Sequence, residues 1–451
     1  MQWRISGDEM LTRDDLHDYQ QEAVEWLTQR KNGFLWLGTG DGKTVIGASS
    51  ITSGARVLIV GTKRIVENVW PTELKKWSHL CSLSYSSATG PKKKREAAVA
   101  SSPDILGVSY ENLKWLIEEG HTDDRCFWIF DEVCHMKDPS TKRFKALQKH
   151  LKVNPPDKVF GMTATPSTEG HLTLYAQWRS VLGDARLGRN LTEFRHLFAT
   201  AHFRGSFTDY TITEPAKEKI ETLLRPDVFT IDPSKRPYQG QPLIIDVPIP
   251  WGTTGARDHY LRMEKELVAD LGTMKFAAAS KGVAFNKCRQ IAAGFIYDED
   301  SIAHGIDTLK FDAVEEAYAE LQGDPVLIFY QFQHEKDELL RRLPGVQPLG
   351  DNYDAFSAGD IPGLVLHPIS CAHGLNLQNA RYVFWSSLPW SGRQYGQANA
   401  RVDRQGQTRQ PVIKRFTRTG TIDEHVVDVL EGKLTGDAEL IARIREGHSA
   451  I

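Results

Sequence analysis

The stretch GFLWLGTGDGKT, residues 33–44, decides how this chain folds. GFLWLG is a short apolar run of the kind that forms a parallel strand buried on both faces. GTGDGKT follows without a break and opens a helical stretch. Glycines allow a tight turn whose backbone N–H groups can converge on an anion, and the start of a helix adds a favourable dipole. In this reading Gly38, Thr39, Gly40, Asp41 and Gly42 form a phosphate loop. Lys43 would reach the β- and γ-phosphates of a nucleotide, and the Thr44 hydroxyl would bind Mg2+. Two residues depart from the usual pattern: Leu37 stands where the first glycine is expected, and Asp41 puts an acid into a loop meant for anions. Such an acid either weakens nucleotide binding or turns to water. The competing reading of the stretch alone is a glycine-rich turn with a surface lysine.

Outward from this loop, short apolar runs alternate with helical patterns. RVLIVGT (56–62), DILGVS (104–109), CFWIFD (126–131) and VFGMTAT (159–165) read as strands, with QQEAVEWLTQR and PTELKKWSHL as helices between them. This is βαβ alternation, and it implies an α/β sheet. The pattern fades over 200–255, reads as helical over roughly 256–296, and resumes with PVLIFYQF (325–332), GLVLHPIS (363–370), RYVFWSS (381–387) and VIKRFTR (412–418).

DEVCH, residues 131–135, directly follows CFWIF. Two carboxylates at the end of a buried strand are costly without a cation nearby. Asp131 would hold Mg2+ through water, and Glu132 would polarise the attacking water. A strand-end acidic turn is the plain alternative for DEVCH alone; a phosphate loop upstream makes the joint reading far stronger than either part.

The bulk composition agrees with a globular protein of two to three domains: 451 residues, 40% hydrophobic and 25% charged. No apolar run approaches the roughly 20 residues of a membrane span, and the opening MQWRISGDEM lacks the apolar core of a secretory signal, so a cytoplasmic setting is expected. Five cysteines, with no CxxC pair, argue against a disulfide framework or a Cys-based zinc site. The net charge of −3 excludes a basic footprint over the whole chain; nucleic acid would need a local positive groove.

Taken together, these segments resemble the Swi/Snf-type branch of the superfamily 2 helicases and ATPases, especially its short phage and bacterial members, nearly end to end. The resemblance implies two RecA-like P-loop NTPase lobes in tandem with helical insertions between them: lobe 1 over 1–235, an interlobe crossing and helical segment over 236–300, and lobe 2 over 301–451. In LHDYQQEAVEWL, Gln20 would recognise adenine and Tyr19 would pack it. VLIVGTKRIVENVWPTELKKW looks like motif Ia and ILGVSYENL like motif Ib, which grip nucleic acid. TATP (Thr163 to Pro166) looks like motif III, the relay between the ATP site and nucleic-acid contacts. LIFYQFQHEKDELL resembles motif IV, and SCAHGLNLQNA resembles motif V around Gly374, Leu375 and Asn376. QANARVDRQGQ resembles motif VI, beginning at Gln397. Arg401 and Arg404 lie three apart in it, a spacing that puts both on one helix face, and the resemblance makes them arginine fingers. Trp390 and Tyr395 would make nucleic-acid or cleft contacts. KKKR (92–95), by contrast, reads as a solvated helix face or a phosphate contact. Trp70, Trp77, Trp178 and Trp385 read as packing.

The resemblance implies an ATP- and Mg2+-dependent ATPase that acts on DNA as a translocase or helicase, with duplex favoured and single strand possible, in a bacterial or phage-infected cytosol. Two alternatives stay open: a nucleotide-gated recruitment module with weak turnover, and an RNA-directed motor.

Overall fold

The computed structural model describes residues 10–167, 170–204, 207–232, 235, 242–253, 255–266, 268–270, 275–277, 281–371, 377–403, 407 and 409–432. The chain divides into two compact units, one within residues 1–237 and the other within 238–434. Each is built on a parallel sheet, as tandem RecA-like lobes require.

In the first unit the strands are β1 (Asn32–Trp36), β2 (Val57–Gly61), β3 (Tyr85–Ala88), β4 (Ile105–Ser109), β5 (Phe127–Asp131) and β6 (Lys158–Thr163). An antiparallel hairpin of β7 (Ala199–Arg204) and β8 (Phe207–Ile212) follows, and then the short β9 (Val228–Phe229). The sheet order is β3-β4-β2-β5-β6-β1-β9, with all neighbours parallel. Parallel order puts the C-terminal ends of β1, β5 and β6 on one edge, where the sequence places GTGDGKT, DEVCH and TATP. Side chains alternate across the pleat. Phe34, Trp36, Leu58, Val60, Trp128 and Phe130 fill one face, and Leu35, Leu37, Val57, Ile59 and Ile129 fill the other. This is why the strands read as unbroken apolar runs. Helix α1 (Asp18–Gln29) buries Tyr19, Ala23, Val24 and Leu27, and α2 (Lys43–Ser49) buries Val45, Ile46 and Ala48, all against the second face.

The second unit begins with β10 (Leu243–Ile249), which pairs in parallel with β19 (Val412–Arg418) over its full length. Two small antiparallel pairs, β11 (Val268–Asp270) with β12 (Lys275–Ala277) and β13 (Phe295–Tyr297) with β14 (Ala303–Gly305), accompany the helices Ala256–Glu266 and Lys281–Ala292. The sheet is completed by β15 (Val326–Phe329), β16 (Gln347–Pro348), β17 (Gly363–Leu366) and β18 (Tyr382–Trp385), in the order β10-β19-β18-β15-β17-β16. The stretch 200–255, over which the alternation fades in the sequence, therefore contributes a hairpin, the last strand of one sheet and the edge strand of the next. β10 is hard to see in the sequence because it is an edge: LIIDVPI is largely exposed and contains Pro248. Among the described residues no helix is long and apolar enough to cross a membrane.

A buried ionic network joins the helical segment to the second sheet. Arg418, fully buried, donates to Asp307 Oδ1 at 2.6 Å, to the carbonyls of Ala292 and Pro250, and lies over the Trp251 ring. Beside it, Lys310 is paired with Asp423 at 2.7 Å. Removing one member of such a pair strands the other charge, at a cost of about 3–5 kcal/mol. Asp307→Ala should therefore lower the urea midpoint of the second unit by a corresponding amount. An unchanged midpoint would show that the network contributes nothing to this packing.

Candidate active site

The loop after β1 is shaped by two left-handed glycines, Gly40 (φ 91°) and Gly42 (φ 79°). Any side chain at Gly42 would be strained, and its Cβ would collide with the Gln20 amide nitrogen. Gly42 caps α2, whose Ile46 N–H returns to the Gly42 carbonyl. Lys43, the first residue of α2, donates through Nζ to the Leu37 carbonyl at 3.1 Å and the Gly38 carbonyl at 3.0 Å. Its ammonium is thus folded over the loop. Gly38, Thr39, Gly40 and Thr44 are half-buried around it.

Asp41 is buried, so it does not turn to water. Its carbonyl accepts from the Tyr19 hydroxyl at 3.1 Å and from Gln20 Nε2 at 3.2 Å. Gln20 Oε1 in turn accepts the His17 N–H at 3.0 Å, at the start of α1. Tyr19 and Gln20 therefore strap α1 to the glycine-rich loop. No spacing rule in the sequence reveals that strap.

Asp131 ends β5 and is buried. Its Oδ2 accepts the Trp70 indole N–H at 2.9 Å. Burial raises its pKa to about 6; the neighbouring Glu132 charge adds to the rise, while the Trp70 bond and the Lys43 charge oppose it. Glu132 itself adopts a left-handed backbone (φ 57°, ψ 56°), an uncommon conformation for a residue with a side chain. Two partners hold this turn. The buried Tyr110 hydroxyl donates to the Asp131 carbonyl at 3.0 Å and to the Glu132 carbonyl at 3.1 Å. The Thr163 hydroxyl donates to Glu132 Oε2 at 3.2 Å and accepts the Thr165 N–H at 3.1 Å, which ties the carboxylate to the TATP turn. His135 stacks on Tyr110 with ring centroids 5.2 Å apart, and its carbonyl accepts from Arg143.

In the second unit, Gln397 is buried in the helix Gly392–Asn399. That helix stops before Arg401: the Arg401 N–H bonds to the Ala398 carbonyl, and those of Val402 and Asp403 to the Asn399 carbonyl. Arg401 is buried in this turn rather than carried on a continuing helix face. Gln407 enforces the turn by donating to the carbonyls of Val402, Gln378 and Ala380. Arg404 and Gly374 lie outside the described residues. Tyr395, expected at a cleft or on nucleic acid, is instead packed in the core against Trp385 at 5.1 Å, whereas Trp390 is 41% exposed. Of the KKKR run, Arg95 lies over Trp115 while Lys92 and Lys94 pair with Glu96 and Glu67.

Residues 13–168 match the family model described as "Type III restriction enzyme, res subunit". The chain is 32% identical over 449 residues to "Putative protein p41" of Acyrthosiphon pisum secondary endosymbiont phage 1, covering 91% of this chain and 94% of that protein. It is 23% identical over 490 residues to the "Transcription regulatory protein SNF2" of Saccharomyces cerevisiae, across 96% of this chain but 28% of that much longer protein. A solved structure, "Sulfolobus solfataricus SWI2/SNF2 ATPase core in complex with dsDNA", aligns with a TM-score of 0.46 at 19% identity, over 96% of this chain and 94% of that one. The chain belongs to the Swi/Snf-type branch of the superfamily 2 helicase-like ATPases, as a core shared with a phage protein of nearly the same extent.

The raised pKa of Asp131 gives a test with a definite sign. The native state holds this proton more tightly than the unfolded chain, whose carboxyl titrates at about 4. The resulting stability is full below that value and is lost as pH rises through about 6. An amide in place of this carboxyl cannot ionise. Nucleotide-free Asp131→Asn should therefore be more stable than the parent at pH 7.5, by up to about 3 kcal/mol, and should match it near pH 4. Thermal melts at both values check this; a variant no more stable at pH 7.5 contradicts the burial argument.

Proposed function

We propose that this protein hydrolyses ATP in response to duplex DNA and uses the turnover to move along it. The observation that carries the reading is the convergence, on one edge of one sheet, of a lysine folded over a glycine-rich loop and two adjacent carboxylates, Asp131 buried and Glu132 on a left-handed backbone. Lys43 gives up two carbonyl partners for phosphate oxygens, a local exchange that leaves the loop in place. The loop amides and the start of α2 face the same anion. Gln20, strapped to the loop, would read the adenine edge, with Tyr19 beside it.

The oxygen donors fit Mg2+: a buried carboxylate with one oxygen fixed by Trp70, and the Thr44 hydroxyl on α2. Bound there, the ion would neutralise charge that builds on the phosphates. Asp131 and Thr44 would hold it. Glu132, aimed by Thr163, would orient the attacking water and take its proton. From the second unit, Arg401 and Arg404 would supply the charge that completes hydrolysis, and Gln397 and Gly374 would help to bind the nucleotide. Duplex DNA as the partner is supported by membership of the Swi/Snf branch, and the segments 57–77 and 105–113 would bear on it.

Lys43→Ala should lose ATP turnover while melting normally. Glu132→Gln should keep nucleotide affinity and lose turnover by about 10²–10⁴-fold, the usual weight of a positioned proton acceptor. Steady-state hydrolysis and nucleotide titration separate the two, and normal turnover in Lys43→Ala with a normal melt would remove the active-site assignment.

Arg401→Ala and Arg404→Ala should each bind ATP nearly as well as the parent and hydrolyse it about 10³–10⁵-fold more slowly. The double variant should be little worse than either, because groups that act as one unit are not additive. DNA-stimulated turnover retained in both single variants would mean that neither arginine faces the nucleotide.

A further inference from the structure

Trp70 is fully buried, and a buried indole needs a partner for its N–H. Its choice of the Asp131 carboxylate, at 2.9 Å, depends on an irregular piece of backbone. Residues Ile65–Val69 form a π-helical turn, so the Trp70 N–H bonds to the Ile65 carbonyl rather than to that of Val66, as an α-helix would have it. The extra residue in the turn rotates Trp70 relative to an α-helical register. Pro71 follows and has no N–H, so it offers nothing to the Val66 carbonyl either. That carbonyl is met instead by the Tyr85 hydroxyl from β3. Room for the Tyr85 ring exists because residue 107, on β4, is glycine; a Cβ there would collide with the Tyr85 hydroxyl and with Val66. Pro71, Tyr85 and Gly107 thus serve one local arrangement, whose product is an indole N–H held on Asp131.

Lys63, which is exposed, and Arg64, the N-cap, lead directly into this turn. The Val66 N–H bonds back to the Thr62 carbonyl, so the basic head of the turn and Trp70 at its foot belong to one hydrogen-bonded unit. Glu67, within the turn, is pinned by the Thr89 hydroxyl at 2.6 Å. A displacement at the head has a short, rigid route to the carboxylate.

We infer that Trp70 is a positioning residue that sets the metal-holding Asp131 carboxylate, and that the π-helical turn transmits nucleic-acid contact at Lys63 and Arg64 to it. This rests on the proposed DNA-stimulated hydrolysis and specifies where stimulation enters the ATP site. Outer partners of metal-holding groups are typically worth about 10–100-fold in metal affinity or activity.

The test uses the full-length protein and Trp70→Phe, which keeps an aromatic ring in the pocket and loses the donor together with part of the ring volume. The variant should need at least about ten-fold more Mg2+ for half-maximal hydrolysis, lose most of its stimulation by duplex DNA, and bind that DNA as the parent does. In nucleotide- and metal-free parent protein, the ¹⁵N indole resonance missing from the variant should move when duplex DNA is added. Should Trp70→Phe fail to fold, Tyr85→Phe, which releases the Val66 carbonyl, should show the loss of stimulation. Wild-type Mg2+ dependence and stimulation in Trp70→Phe, an indole resonance indifferent to DNA, or full stimulation in Tyr85→Phe each overturn the inference. If the parent protein itself is not stimulated by DNA, the functional reading falls first.

Discussion

The arrangement on which the rest of the first unit depends is a pair of carboxylates, Asp131 and Glu132, at the end of a strand buried on both faces. Desolvation of Asp131 and the neighbouring Glu132 charge both oppose ionisation of Asp131, and its pKa, pushed up to about 6, records that opposition. Around the pair the chain places an indole N–H, a tyrosine hydroxyl under both carbonyls, a threonine hydroxyl on the second carboxylate, and a lysine whose charge is felt by the first. Each comes from a different part of the sequence. The parallel sheet brings them to one edge, and its order is therefore a requirement of the site as much as of the core.

Unusual backbone is part of the same site. Glu132 holds a left-handed backbone despite its side chain, Gly40 and Gly42 supply the left-handed turns of the facing loop that glycine adopts without strain, and the π-helical turn before Trp70 breaks its helix register. Distortions of this kind persist where surrounding contacts over-determine them. Here the surroundings are two apolar layers, one on each side of the sheet, with Trp70 and Ile46 in one and Tyr110 and Leu113 in the other.

Much of this was legible in the sequence, for physical reasons that differ by element. The strands of the first sheet showed themselves because burial on both faces leaves no polar alternation. The glycine-rich loop and DEVCH stood out because the chemistry proposed for them needs particular residues at contiguous positions. Edge strand β10 did not, because exposure and Pro248 remove the apolar run. Motif VI was read as one helix carrying two arginines; the structure ends that helix at Asn399 and seats Arg401 in a turn that Gln407 ties to the carbonyls of Gln378 and Ala380, long-range contacts that spacing cannot express. Tyr395 looked like a cleft residue from its position in the chain and is a core residue by its packing on Trp385. Trp70 looked like packing alone, and only the fold shows its indole N–H on Asp131. Long-range polar pairs of this kind leave no periodic trace, which is why the strap from Gln20 to Asp41 and the bond from Thr163 to Glu132 were equally hidden.

The central claim is that nucleic acid, specifically duplex DNA, drives hydrolysis at the Lys43–Asp131–Glu132 site. Steady-state ATP turnover by the parent protein, measured without nucleic acid and then with duplex DNA, single-stranded DNA and RNA at matched nucleotide concentration, tests it most directly. The account predicts slow turnover alone and the largest increase with duplex DNA. Turnover unchanged by any of the three, or raised by RNA and not by duplex DNA, would contradict it.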